Sequence, residues 1–365
     1  MKNEFKDGAL TFYLEGRIDS NNVSEVETEL ENEISIYDNI DIAFDAGRLE
    51  YVSSAGLRAF LKIKKKHKTQ IRITNVSDAV FDILDVTGFT DIFEVERKMR
   101  QISVRGCERI SSALNGEIFQ LSEDEMIKVY GADIPLSDVR KERQYAQTAM
   151  AFGVPTLIPY DVVKCEQGYG IVYEKAEMTS LAYLISHEPD RLPEYAALLA
   201  GTLKELHETE IPAGKLPDIK ERYRGWISEI DDPSDSKAAV FSNLIASIPD
   251  SDKYVHGDIN LNSVMVKGDE VLLLDMSGSA RGHSLFDLQA LFASLVAIET
   301  TQEGYCRKTF GLTKASCINF WNQFFAYYMK DRQQEIKSMN ELLLKYFILK
   351  ESVLNKVEAK NKTKR

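Results

Sequence analysis

The chain has 365 residues, 44% hydrophobic and 28% charged, which excludes a disordered protein and leaves room for two or three cored domains. Its 57 acidic residues against 45 basic ones, a net charge of −12, argue against a protein built to hold a nucleic-acid backbone. No apolar run approaches the ~20 residues of a membrane span, and the start MKNEFKDGAL lacks the apolar core of a signal peptide. A cytoplasmic chain is therefore expected, with neither nucleic acid nor membrane among its partners. Cys107, Cys165, Cys306 and Cys317 share no metal-ligand or framework spacing, which fits free thiols in a reducing compartment.

The first hundred residues alternate strand and helix patterns. ALTFYLEG reads as a strand, and Val23, Val26, Leu30 and Ile34 recur at helical spacing after Ser20, a candidate cap. NIDIAFDAG is a strand, SSAGLRAFLKIKKKHK a helix, QIRITNV a strand and SDAVFDILDVTGF a helix ended by Gly88. Such alternation predicts a small mixed sheet covered by helices. Ser53 and Ser54 precede Ala-Gly-Leu at a strand-to-helix turn, where a hydroxyl can cap the helix and a phosphate would meet its positive end. Lys62, Lys64, Lys65, Lys66 and Lys68 read as a solvated helix face and loop, with a contact patch as the competing reading.

On LEGRIDSNN, SSAGLRAFL and ITNVSDAVFDILDVTGFTDIF, residues 5–100 resemble a STAS domain, the fold of bacterial anti-sigma factor antagonists. The resemblance implies partner binding and makes Ser54 the counterpart of the phosphorylated serine. Ser53 stands where that family usually has Asp.

EVERKMRQISVRG lacks a compact apolar pattern, so a boundary is expected near residue 103, giving domains 1–103 and 104–365. Three strand candidates follow, CERIS, GEIFQLS and EMIKVYG, then the helix SDVRKERQYAQTAMAFG and a hairpin at CEQGYGIVYEK. Most of the remainder reads as helix. Gly116 sits where a phosphate-covering turn belongs, because glycine lets backbone N–H groups approach phosphate; an ordinary hairpin explains it equally well. Lys128 interrupts an apolar strand and Glu142 lies on the next helix. A buried ammonium needs a carboxylate or phosphate partner, whereas an edge-strand lysine would face water.

The stretch YVHGDINLNSVMVKGDEVLLLDMSG carries the chemistry. Two apolar runs flank the turn KGDE, and an antiparallel hairpin returns its end beside its start. Asp275 is thereby brought toward the loop holding Asp258. One carboxylate can take a proton from an attacking hydroxyl while the other holds Mg²⁺ on the transferring phosphate.

From HGDINLNSVMV, LLLDMSGSARGHSLFDL, the Lys128–Glu142 pair and GVPTLIP, residues 105–350 resemble the aminoglycoside phosphotransferase and choline kinase-like family. The whole is thus expected to be an α+β two-domain protein, a STAS-like unit followed by a bilobal protein-kinase-like fold. The resemblance implies ATP and Mg²⁺ as cofactors, Asp258 as catalytic base and Asp275 as main metal ligand. It makes His256 and Asp287 supports of the catalytic loop, and His207 and His283 packing and loop-bracing groups. The backbone near Glu174, Lys175 and Ala176 would meet adenine. Ser263 stands where the family has a metal-binding Asn; its hydroxyl is the expected, weaker second ligand, and a shortened loop delivering Asn262 is the alternative. Two functions stay open at this level. One is an ATP-dependent phosphotransferase acting on a small-molecule or protein hydroxyl, with a STAS regulatory module. The other is a nucleotide-sensing pseudokinase that binds protein partners. The acidic segment SEIDDPSD reads as a solvated loop, with a face for a cationic acceptor as the competing reading.

Overall fold

The computed structural model describes residues 1–6, 8–37, 40–67, 71–113, 115–230 and 236–363; Lys68 and residues 231–235 of the acidic segment lie outside it. The chain divides into two units, Met1–Gln101 and Ile102–Arg365. The division falls just before Ile102, because Ile102 and Val104 already pack on the sheet of the second unit and the Ile102 N–H bonds the Lys164 carbonyl at 2.9 Å.

The first unit is a five-stranded sheet in chain order: β1 (Lys2–Lys6), β2 (Ala9–Ile18), β3 (Asp41–Val52), β4 (Ile71–Val76) and β5 (Glu94–Arg97). β1 runs antiparallel to β2 and the remaining pairs are parallel. Helices α1 (Val23–Ile34), α2 (Ser54–His67) and α3 (Asp78–Val86) make the crossovers, since a parallel pair needs a long return. Leu10, Phe12, Phe44, Phe60 and Ile73 fill the core, each such side chain contributing roughly 1.5–3 kcal/mol on burial. β5 was hidden in the stretch that sequence reads as linker: EVER is an edge strand, and charged residues protect an edge.

Helix starts differ in detail from the reading of sequence. α1 begins after Asn22, whose Oδ1 accepts from the Asp19 N–H at 2.9 Å, so Ser20 sits in the preceding turn and does not cap. On α2 the cap is Ser53, whose Oγ accepts from the Gly56 N–H at 3.3 Å; Ser54 is the first helical residue and its side is exposed. The basic run is a largely exposed face that makes surface pairs. Lys62 pairs with Glu27 at 2.8 Å and Lys66 with Glu31 at 3.0 Å on α1, while Lys64 bonds the Ile92 carbonyl.

The second unit opens with β6 (Arg109–Ala113), β7 (Gly116–Gln120), β8 (Glu125–Tyr130), α4 (Leu136–Ala151), β9 (Pro159–Cys165) and β10 (Gly168–Glu174). All sheet pairs are antiparallel, in the order β6-β7-β8-β10-β9, which makes β8 the central strand. Met126 and Tyr130 on one face of β8 pack with Val139 of α4, while Ile127 and Val129 on the other join a separate small cluster. A larger helical lobe follows: β11 (Thr179–Ser180), α5 (Leu181–His187), α6 (Leu192–Leu206), α7 (Ile219–Ser228) and α8 (Ser236–Ser247). Four short strands come next, β12 (Tyr254–Val255), β13 (Val264–Lys267), β14 (Glu270–Leu273) and β15 (Ala280–Arg281). The chain ends with α9 (Leu285–Phe292), α10 (Ile298–Thr301), α11 (Tyr305–Phe310), α12 (Lys314–Tyr328) and α13 (Ile336–Thr363). One apolar core around Trp321, Phe324, Phe241 and Tyr346 unites these helices. The four cysteines are free thiols, and among the described residues no helix is long and apolar enough to cross a membrane.

Candidate active site

Lys128 is the pivot of the site. Its place on the central strand makes it buried, so it does not face water as an edge lysine would. Val139, Glu142, Ala146 and Ala149 form the buried stripe of α4, which aims Glu142 at the same face of β8. Lys128 Nζ donates to Glu142 Oε1 at 2.8 Å and to Asp275 Oδ1 at 2.5 Å. Side-chain exposures of 5% for Lys128 and 3% for Glu142 mean that this pair is held out of water. Burial by itself would lower the Lys128 pKa; the neighbouring Glu142 and Asp275 carboxylates outweigh it and hold the ammonium above the ordinary lysine value.

The hairpin β13–β14 pairs Val264 with Leu273 and turns at Gly268, whose φ of 61° is readily adopted by glycine. It delivers Asp275 in the left-handed region, φ 60° and ψ 59°, a conformation that Asp tolerates but that the surroundings must hold. Four hydrogen bonds do so just upstream. Leu273 N–H donates to the Pro155 carbonyl and Thr156 Oγ1 to the Leu273 carbonyl, both at 2.8 Å. Leu274 N–H donates to the Ser263 carbonyl and His256 Nε2 to the Leu274 carbonyl, again at 2.8 Å. The last bond requires the proton of His256 on Nε2.

The loop with Asp258 is tied to the loop after Asp275 at backbone level. β12 pairs with β15, and an ideal Cβ on Gly257 would lie 2.3 Å from the Gly278 carbonyl oxygen. A Cβ on Gly278 would lie 2.6 Å from the His256 carbonyl oxygen and 3.1 Å from Asp258 Cβ. Two glycines thus permit the approach that sets Asp258 beside the loop following Asp275. Gly278→Ala is expected to destabilise the second unit by about 1–3 kcal/mol, the usual range for overpacking, with a matching fall in the urea midpoint. Arg222 of α7 props the same place, donating to the Gly278 carbonyl at 2.8 Å.

Beneath the loop, Asp287 is wholly buried and accepts from His256 N–H at 2.8 Å, Gly257 N–H at 2.6 Å and His207 Nε2 at 3.1 Å. Burial would raise its pKa; the His207 hydrogen bond and charge, His256 and the Gly257 amide overcome that and hold the carboxyl below its usual value. His207 Nδ1 bonds Tyr328 Oη at 2.8 Å, and His283 Nδ1 accepts from Leu285 N–H at 3.1 Å at the start of α9.

Asp275 lines a cleft of about 900 Å³, large enough for a nucleotide and an acceptor. Ile118, Met126, Leu157, Leu272 and Leu274 supply apolar walls, and Lys175 and Ala176 line it from the segment after β10. Among the described residues the Ala176 N–H has no partner, which leaves it available to a planar base. Glu174 does not line the cleft: its Oε1 accepts from Ile158 N–H at 2.9 Å, so its side chain is structural.

At two positions the structure shows what the residue does within the fold. An ideal Cβ at Gly116 would lie 2.1 Å from the Val129 carbonyl oxygen, so the close approach of β7 to β8 by itself requires glycine here. The Ser263 hydroxyl is engaged by its own loop. It is completely buried, with Oγ accepting from Asn260 N–H and donating to the Asn260 carbonyl, each at 3.0 Å. Sequence reasoning had no signal for the far wall of the cleft, Tyr305 and Thr309 of α11, because helices distant in sequence meet there only through packing. Glu299 holds the start of α11, accepting from Gly304 N–H at 2.9 Å and Cys306 N–H at 2.7 Å.

Comparison with known proteins agrees with this architecture. The model of the STAS domain matches residues 1–102, and that of the phosphotransferase enzyme family matches residues 108–313, more than half of the chain. BtrV of Bordetella bronchiseptica, provisionally named an anti-sigma factor antagonist, is 32% identical over 92 residues, covering 24% of this chain and 78% of BtrV. Among solved structures, a thermostable mutant of aminoglycoside phosphotransferase APH(4)-Ia is 13% identical with a TM-score of 0.46, over 70% of this chain and 89% of its own. APH(3'')-Id of Streptomyces rimosus is 17% identical with a TM-score of 0.45, over 66% and 93%. The chain belongs to the phosphotransferase enzyme family and carries a STAS domain ahead of the phosphotransferase unit.

Proposed function

We infer that the second unit moves the γ-phosphoryl group of ATP to a hydroxyl of a small molecule, and that the STAS unit binds a protein partner that regulates it. The observation that carries this reading is the ammonium of Lys128 bridging Glu142 to Asp275, which lines the cleft. Such a cation, already oriented by two carboxylates, is suited to holding nucleotide phosphates. Asp275 fits a divalent cation: one carboxylate oxygen is held by Lys128, and the other takes no hydrogen bond among the described residues. Mg²⁺ is commonly held by one or two carboxylates together with substrate phosphates and water, and when bound it would neutralise charge on the phosphates. Asp258, exposed at the end of a fixed loop, would accept the proton of the acceptor hydroxyl. The apolar walls and the Ala176 N–H would receive the base.

The test is a phosphotransfer screen of the full chain against hydroxylated metabolites, with Asp258→Asn as the control. Turnover is expected to fall by about 10²–10⁴-fold in the variant while the Mg·ATP thermal shift persists. A thermal shift with no acceptor and no Asp258-dependent loss of γ-phosphate would favour the nucleotide-sensing scaffold instead. Ser54, exposed at the first turn of α2, is a proposed phosphoacceptor on the STAS unit, because added charge there would meet the helix's positive end. Mass spectrometry after incubation with Mg·ATP checks it, and an unmodified Ser54 would remove self-phosphorylation from the proposal.

A further inference from the structure

We propose that the acceptor binds in a second cavity, against Arg222, and that it is a hydroxylated molecule carrying a carboxylate or phosphate group. The inference rests on the phosphotransfer reading and adds the place and class of the acceptor. Asp275 lines the nucleotide cleft, but Glu142, its partner across Lys128, lines a separate cavity of about 380 Å³. That cavity lies between α4, the start of α7 and the loop after Asp275, which contributes Ser277. It adjoins the proposed base. Arg222 donates to the Gly278 carbonyl at 2.8 Å, and an ideal Cβ on Gly257, the residue before Asp258, would lie 3.1 Å from its Nη1.

The charged groups of the cavity are unequally engaged. Asp138 pairs with Lys141 at 3.3 Å, Glu142 with Lys128 at 2.8 Å, and Glu221 with Arg224. Asp218 caps α7, one of its oxygens accepting from Lys220 N–H at 2.8 Å, where the positive helix end offsets its charge. Arg222 makes no ion pair among the described residues, and the Gly278 carbonyl is the one acceptor it meets there. Its half-buried guanidinium thus keeps donors for an oxyanion, which it can hold through two parallel bonds. The Tyr130 hydroxyl is a second unused group. The residue is 3% exposed and lines the cavity, yet its oxygen has no hydrogen-bond partner among the described residues. A buried hydroxyl without a partner is costly, and a ligand that supplies one relieves the cost. Arg222 therefore takes the anionic group, while Tyr130, Ser277 and the second oxygen of Asp218 take hydroxyls. An acceptor whose only charge is an ammonium would meet the unpaired guanidinium as a like charge.

The experiment runs the phosphotransfer screen of the full chain in three arms: sugar phosphates, hydroxy and sugar acids, and polyols that are neutral or bear only amines. Turnover is expected in the first or second arm, and the arm that responds identifies the anionic group. On the best acceptor, Arg222→Gln should raise KM by roughly 10–100-fold and Tyr130→Phe by about threefold or more, with the Mg·ATP Kd held within about threefold. An analogue of that acceptor with its anionic group removed separates ligand binding from the support Arg222 gives Gly278. On the analogue, Arg222→Gln should change kcat/KM by less than about threefold, whereas a purely structural arginine would slow both acceptors alike. Turnover confined to the third arm, or equal losses on acceptor and analogue, would overturn the inference and leave the phosphotransfer reading standing. No turnover in any arm would overturn both.

Discussion

Lys128→Ala is expected to destabilise the second unit by about 3–5 kcal/mol, the usual consequence of removing one partner from a buried ion pair. The reason lies in what remains: Glu142, with a side chain 3% exposed, and Asp275 lose their shared cation. Urea denaturation should show a lower midpoint, and the Mg·ATP thermal shift should disappear because the phosphates lose their ammonium. Adding Glu142→Gln to Lys128→Ala should recover part of the stability but none of the nucleotide binding. That split separates the two roles of the lysine. If the double variant is no more stable than the single one, Glu142 is not the burdened carboxylate and the ion-pair argument is wrong.

Asp287→Ala should be the most damaging change away from the cleft, lowering stability by about 4 kcal/mol or more. It strips partners from the buried His256 and Gly257 N–H groups and from His207, and each unsatisfied group costs roughly 1–3 kcal/mol. Because those amides position the residues immediately before Asp258, turnover should fall with stability. The pH dependence has a definite sign. The folded-state pKa of Asp287 is depressed, so its unfolded form binds the proton more readily. Its contribution is complete above the unfolded carboxyl value of about 3.9 and is lost as pH falls through the lower folded value. Asp287→Asn, which keeps the shape without the charge, should therefore differ most from the unaltered chain near pH 7, and the gap should narrow below pH 4. A gap independent of pH would mean that the carboxylate acts by shape alone.

The site was legible in sequence to the extent that its chemistry is local. A hairpin of two apolar runs with a glycine turn has one way to close, so the approach of Asp275 to the Asp258 loop follows from strand geometry. Lys128 in an apolar strand and Glu142 four residues from Ala146 on an apolar stripe announce a buried pair, because an unpaired ammonium in that place is costly. The alternation of the first hundred residues likewise predicts their parallel sheet with helical crossovers. Edge strand β5 was missed because edges carry charge in place of an apolar pattern.

What sequence could not decide was the direction in which small polar side chains turn. Ser263 and Gly116 occupy positions where spacing suggests contact with metal or phosphate, yet one closes a turn with Asn260 and the other admits the backbone of β8. A hydroxyl can satisfy a backbone group or a cation equally well, and only the surrounding burial chooses. Tyr305 and Thr309 belong to the same class of information: their presence in the cleft depends on how α11 is capped by Glu299 and held by Asn262. The sequence by itself determined the two units, the hairpin and the identity of the charged groups, because periodicity and the expense of buried charge act within short stretches. The tertiary structure alone decided that Lys128 meets Asp275 and Glu142 together and that the Ser263 hydroxyl closes its own loop, because those hydrogen bonds exist only once the chain has packed.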